Sequence, residues 1–194
     1  MTWGVKAMGE WIKLTASDGF VLDAYVARPE GSPKASVVVL QEIFGVNSHI
    51  RSVADLYARE GYLAIAPALF DRKIKNFEVG YGADDMKAGR EIAFALERET
   101  TLRDIEAAIN FARDYSKIGL VGYCWGGTMA YAAACSFASL SAVSAYYGGG
   151  VTAMKEHEPK GPTIVHFGER DAHIPMDGVR AFQSARQDVT IYVY

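Results

Sequence analysis

Cys124 stands in the middle of the stretch Ile118-Gly-Leu-Val-Gly-Tyr-Cys-Trp-Gly-Gly-Thr128. Glycines two residues before it and two after it, Gly122 and Gly126, match the G-x-S-x-G nucleophile elbow with sulfur in place of oxygen. A thiol so placed could attack a carbonyl carbon, given a base to take its proton and donors to receive the oxyanion. The start of a helix just after it would offer N–H groups and partial positive charge that favour a thiolate. Two carboxylates could serve this thiol. Asp171 closes the turn Gly168-Glu-Arg-Asp171, just past an apolar run; Glu169 is its rival but comes earlier in the turn. Glu42 ends another apolar run beside Ile43, Phe44 and Val46, where partial desolvation would let it hold the thiol or tune its pKa. The backbone N–H groups of Ile43 and Trp125 are the candidate oxyanion donors. Each feature also has a plainer explanation. Turns favour glycine and aspartate for backbone reasons, and free cysteine is often a small buried hydrophobe.

The elements that must position these groups follow from periodicity. Residues 11–15 and 20–27 alternate apolar and polar around the turn Ser17-Asp-Gly19, which predicts an N-terminal hairpin. Residues 36–40, 63–66, 118–121, 140–145 and 163–167 are short apolar runs, as in strands of a parallel sheet covered on both faces. A further strand begins in 188–194. Helices are predicted from Asn47 or Ser48 to Glu60, weakly over 85–96, and clearly around Leu102, Ile105, Ile109 and Ala112. Thr101 and Asp104 have the spacing of a capping box there. Helices also follow Cys124 and span 177–185, whereas 68–84 reads as irregular. Strands alternating with helices predict a mostly parallel, doubly wound α/β sheet with an antiparallel N-terminal hairpin. In such sheets, functional residues gather beyond the carboxyl ends of the strands. The Glu42 loop, the Cys124 turn and the Asp171 turn should therefore converge on one rim.

Composition narrows the function. With 194 residues, half of them hydrophobic, and no linker or repeat, residues 1–194 read as one domain with a sizeable core. A net charge of −3 gives no electrostatic footprint for nucleic acid or an anionic membrane. Cys124 and Cys135 form neither a disulfide framework nor a zinc spacing, and no metal or cofactor is called for. Met1-Thr-Trp-Gly-Val-Lys6 lacks a signal pattern, and no apolar run is long enough for a membrane span. The expectation is a cytoplasmic protein, a monomer or small homo-oligomer, acting on a small molecule.

Gln41-Glu-Ile-Phe-Gly-Val-Asn47 together with Gly122-Tyr-Cys-Trp-Gly-Gly127 resembles the dienelactone hydrolase (carboxymethylenebutenolidase) family, of α/β-hydrolase fold. Ala66-Pro-Ala-Leu-Phe70, Asp104-Ile-Glu-Ala-Ala-Ile109, Tyr146-Tyr-Gly148 and the Asp171 turn fall in family order, so the resemblance runs from about residue 20 to 194. It implies hydrolysis of an ester or enol-lactone through an acyl-thioester. Cys124 would be the nucleophile, Asp171 the triad acid, and Glu42 the carboxylate that contacts the resting thiol. Tyr147 would line the pocket, and Lys87 or Arg90 would receive a substrate carboxylate. Pro67-Ala-Leu69 departs from the family's Pro-Asp-Leu, and residues 72–83 depart more widely.

The resemblance places the triad histidine after one more strand, beyond Tyr194, so the chain reads as the N-terminal part of a longer protein. Of the four histidines present, His49 reads as a surface or capping residue, His157 as solvated and His166 as a hydrogen-bonded core residue. His173, two residues past Asp171, would have to span a turn to reach Cys124. Two other functional classes stand beside the hydrolase: a non-catalytic binder of small carboxylates on the same fold, and a redox-sensing thiol at Cys124.

Overall fold

A computed structural model describes residues 9–115 and 117–194; the stretch 1–6 read above for a leader lies outside them. Among the described residues, eight strands make one sheet. They are β1 (Gly9–Thr15), β2 (Val21–Ala27), β3 (Ser36–Leu40), β4 (Leu63–Pro67), β5 (Ile118–Tyr123), β6 (Ala142–Tyr146), β7 (Thr163–Phe167) and β8 (Thr190–Val193). Their spatial order is β1-β2-β4-β3-β5-β6-β7-β8. β1 pairs with β2, and β2 with β4, antiparallel; every other pairing is parallel. The expected doubly wound sheet with an antiparallel hairpin at one edge is therefore present.

Among the described residues, five α-helices connect it: α1 (Ser48–Arg59), α2 (Ala83–Ala95), α3 (Arg98–Ala112), α4 (Trp125–Ser136) and α5 (Met176–Ala185). α1 covers β2, β3 and β4 on one face, and its Ile50, Ala54 and Ala58 pack on Val37, Val39 and Ala64. α3, α4 and α5 cover the other face, where Ile105, Ile109, Ala130, Ala133 and Phe182 join Val38, Leu40 and Leu120 in the main core. Every residue of β3 and β4 is buried, which is why their sequences run apolar without alternation.

One helix start differs from the sequence expectation. α3 begins three residues before Thr101, with Glu97 as its N-cap. Thr101 instead sits inside the first turn, its hydroxyl donating to the Glu97 carbonyl at 2.9 Å. Asp104 is fully buried and accepts from Arg72 Nε and Nη2 at 2.8 Å each, so its carboxylate is committed to an ion pair and not to a cap. A second Arg72 contact, Nη1 to Asp18 at 2.9 Å, ties the β1–β2 turn to the same pair.

On the face that carries α1, a row of rings crosses the sheet. Tyr123, Tyr146, His166 and Tyr192 are register partners on β5, β6, β7 and β8. Their ring centroids are 5.3, 4.1 and 5.5 Å apart, with planes within 20° of parallel. His166 is thus not the core residue expected. β7 alternates, burying Thr163, Val165 and Phe167 and turning Ile164 and His166 to this more open face. His166 is hydrogen bonded, as foreseen, its Nδ1 lying 3.1 Å from the Tyr194 hydroxyl.

Candidate active site

The site is built where β5 hands over to α4. Cys124 is the turning residue, at φ 56° and ψ −121°. A side chain other than glycine rarely holds that conformation, and it persists because the surroundings leave no alternative. The Cys124 N–H donates to the Tyr146 carbonyl at 3.0 Å, and its own carbonyl accepts from Gly127 at 2.9 Å and Thr128 at 3.2 Å. The flanking glycines are needed for close approach. A Cβ on Gly122 would stand 2.0 Å from the Gly126 carbonyl oxygen, and one on Gly126 would stand 2.3 Å from that of Gln41. The elbow and the loop after β3 are therefore in backbone contact.

Gln41 fixes the start of that loop. Its amide oxygen accepts from the Leu69 N–H at 3.1 Å, and its amide nitrogen donates to the Glu42 carbonyl at 3.3 Å. α2 then lies on the loop so closely that a Cβ on Gly89 would come 1.9 Å from the Ile43 carbonyl oxygen. Phe70 packs against Trp125 with the rings tilted and 5.2 Å between centroids, and belongs to the small cluster of Ile43, Phe44 and Ile92. The backbones of Ile43 and Trp125 are thus held by packing from two sides.

A cavity of about 750 Å³ opens at this point, and Cys124, Trp125, Ile43, Tyr147, Asp171 and His173 all line it. The predicted convergence of three loops on one rim is therefore present. Arg90 lines the same cavity, as do Met86 and Phe94 on α2 and Arg98 at the start of α3; Lys87 does not line it. Arg98, Met86 and Phe94 carry no motif; the packing of α2 against the loop after β3, and the start of α3 just beyond it, bring them here.

Asp171 is half-buried at the end of β7, and its Oδ1 accepts from the backbone N–H of His173 at 2.8 Å. His49 and His157 are exposed, and neither lines the cavity. Glu42 is 9% exposed and holds two phenols. Tyr81 donates to its Oε2 at 2.9 Å and Tyr147 to its Oε1 at 3.2 Å. Among the described hydrogen bonds, none joins Glu42 to Cys124.

The electrostatics reverse one expectation. The Cys124 thiol is pushed up from its ordinary value, first by burial and then by the charges of Glu42 and Asp171. The Trp125 N–H facing the sulfur pulls it down, second in strength only to burial, and Arg90 pulls it down least, so burial and the two carboxylates together prevail. Two carboxylates and a dry wall outweigh the helix N-terminus. Burial likewise pushes up the Tyr147 and Tyr81 phenols, so both stay O–H donors to Glu42. Among the described residues, no group of three or more His, Cys, Asp or Glu side chains could hold a metal ion. No helix among them is long and apolar enough to cross a membrane.

Comparison with known proteins meets this geometry. The family model described as "Dienelactone hydrolase family" matches residues 22–194. A carboxymethylenebutenolidase of Pseudomonas putida is 36% identical over 177 residues, which cover 86% of this chain and 73% of that protein. Among solved structures, a Klebsiella pneumoniae protein whose name assigns it to the dienelactone hydrolases superposes with a TM-score of 0.78 at 29% identity. The match covers 95% of this chain and 85% of that one. A dienelactone hydrolase-like promiscuous phosphotriesterase from metagenomic libraries shares the fold at TM-score 0.73 and 20% identity, over 96% of this chain and 82% of that one.

Proposed function

The chain belongs to the dienelactone hydrolase family, which makes it a hydrolase of lactones and esters, and we propose that Cys124 is its nucleophile. The observation that carries the proposal is the strained Cys124 turn, opening into the one cavity that Ile43, Trp125 and Asp171 also line. The sulfur attacks the carbonyl carbon of the ester, and the carbonyl oxygen, now negative, is received by the N–H groups of Ile43 and Trp125. Collapse of the tetrahedral intermediate breaks the bond to the leaving oxygen, which departs with a proton and leaves an acyl-thioester on Cys124. Water attacks that thioester, and the acid product and the free thiol are restored.

Burial, with the charges of Glu42 and Asp171, raises the resting thiol's pKa, so sulfur waits protonated until substrate and base are in place. Asp171 orients the base. Among the described residues His173 is the candidate base, because it lines the cavity. Loss of hydrolysis in His173→Ala assigns the base to His173; hydrolysis that survives rules His173 out. Arg90, on the cavity wall, receives a carboxylate of the substrate, and Lys87, off that wall, is set aside.

The test of the nucleophile is direct. The protein is mixed with an aryl ester, quenched in acid, and its peptides weighed. An acyl group on the peptide carrying Cys124, lost together with hydrolysis in Cys124→Ala, is the expected result. Hydrolysis undiminished in Cys124→Ala sinks the proposal.

A further inference from the structure

Tyr81 is 56% exposed, yet its hydroxyl meets a carboxylate that is almost buried. It sits at the end of a strap, residues 73–82, that crosses in front of the loop after β3. The strap is tied at several points. Lys75 donates to Asp71 at 2.9 Å, and the Val79 N–H to the Phe44 carbonyl at 3.2 Å. Glu78 bridges to Gly45 through the backbone and takes two hydrogen bonds from Arg51, at 2.6 and 2.9 Å. A Cβ on Gly45 would stand 1.8 Å from the Phe77 carbonyl oxygen, so the strap presses directly on the loop that carries Glu42.

The Tyr81 ring lies on Phe44, centroids 4.4 Å apart, and its oxygen accepts from Asn47 Nδ2 at 3.4 Å. The other end of the same amide, Asn47 Oδ1, caps α1 by accepting from the Ile50 N–H at 3.1 Å. Tyr81 is thus held in ring and oxygen alike, and its proton is aimed at Glu42 Oε2. Tyr147 meets Oε1 from the cavity side. A carboxylate gripped from both sides by phenols cannot turn toward a third donor without losing one of them.

We infer that Tyr81 is a positioning residue, which holds Glu42 on Tyr147 and away from the Cys124 thiol and so sets how readily that thiol ionises. The inference deepens the reading of Cys124 as nucleophile and Glu42 as its neighbouring carboxylate, and rests on it. Without the Tyr81 hydroxyl, Glu42 turns and accepts the S–H proton of Cys124. A hydrogen bond to the neutral thiol disfavours its ionised form.

The test is the rate of Cys124 alkylation by iodoacetamide as a function of pH, read on the Cys124 peptide by mass spectrometry so that Cys135 does not interfere. Tyr81→Phe keeps the ring on Phe44 and removes only the hydroxyl of an exposed residue, so the fold is retained. The curve moves to higher pH, with a rate at fixed pH about three- to tenfold lower, the net scale of one ordinary hydrogen bond. In a Glu42→Gln background, Tyr81→Phe moves nothing further. Ester hydrolysis by Tyr81→Phe falls in kcat with KM held, because Tyr81 is not on the cavity wall. A Tyr81→Phe curve that superimposes on the wild type overturns the inference, and so does an equal shift with and without Glu42. The alkylation readout does not need turnover, so failure of the nucleophile assignment is seen separately, in Cys124→Ala.

Discussion

A methyl group at Gly126 tests how the site is assembled. An ideal Cβ there stands 2.3 Å from the Gln41 carbonyl oxygen and 2.7 Å from that of Leu40. Both are backbone atoms, so no side chain can swing aside. Ordinary contact requires α4 and the loop after β3 to part by about 1 Å, in an interior packed as densely as a crystal. Across that same junction lie the N–H groups of Ile43 and Trp125, the two oxyanion donors proposed above. Overpacking of this kind costs about 1–3 kcal/mol of stability. A displacement of about 1 Å between reacting groups costs about 100-fold in rate. Gly126→Ala is therefore expected to lower the unfolding free energy from urea titration by that amount and kcat/KM on an aryl ester by about two orders of magnitude. Gly149→Ala gives the comparison, because a Cβ there meets nothing within 4 Å. Its stability should stay within about 0.5 kcal/mol of wild type. A Gly126→Ala protein with wild-type midpoint and wild-type rate would refute the reasoning, since the two segments would then not share one rigid junction.

Further outcomes follow from the charges. Arg72→Met leaves the buried Asp104 carboxylate without its partner and should cost about 3–5 kcal/mol in chemical denaturation, with part recovered in Arg72→Met/Asp104→Asn; equal midpoints for the single and double variants would contradict this. Arg72 holds Asp18 at about 2, below its ordinary 3.8. The stability this gives is present in full above 3.8 and fades as pH falls toward 2, a loss that thermal melts should show to be smaller in Asp18→Asn. Burial lowers His166 below its ordinary 6.5, so the fold favours the neutral ring. Stability is then held above 6.5 and declines as pH drops through the folded value; His166→Phe should flatten that limb while keeping the stack, and an unchanged limb would exclude His166 as its source. Asp171→Asn removes one of two negative charges that oppose the Cys124 thiolate, so the alkylation curve should move to lower pH; an unmoved curve would mean that Asp171 exerts no field at the sulfur.

Much of the site could be read from local spacing. Gly122, Cys124 and Gly126 must be two residues apart because the backbones they join nearly touch, and that requirement is written in consecutive positions. The burial of β3 and β4 on both faces is equally plain in their unbroken apolar runs. What escaped was decided by partners far along the chain. Thr101 and Asp104 have a capping-box spacing, but Arg72, 32 residues away from Asp104, claims its carboxylate. His166 lies in a run that looks uniformly apolar apart from itself, and only the partial cover of that sheet face turns it outward. Tyr81 belongs to a stretch with no period at all, because its place is fixed by Asn47, Phe44 and Glu42 and not by its neighbours. The raised thiol of Cys124 depends on its burial and on how near two carboxylates come, which no single segment records.

The stacked row of Tyr123, Tyr146, His166 and Tyr192 has one further consequence, for alignment. Parallel strands have no hairpin to index one against the next. Here each strand from β5 to β8 contributes one ring at the same height. A slip of β8 by one residue would set Ile191 or Val193 beside His166 and turn Tyr192 to the other face. The rings therefore act as a vernier across four strands. Cys124 follows Tyr123 and Tyr147 follows Tyr146, each by one residue. The thiol and the phenol that grips Glu42 leave the sheet at matched heights because a ladder of rings beneath them keeps count.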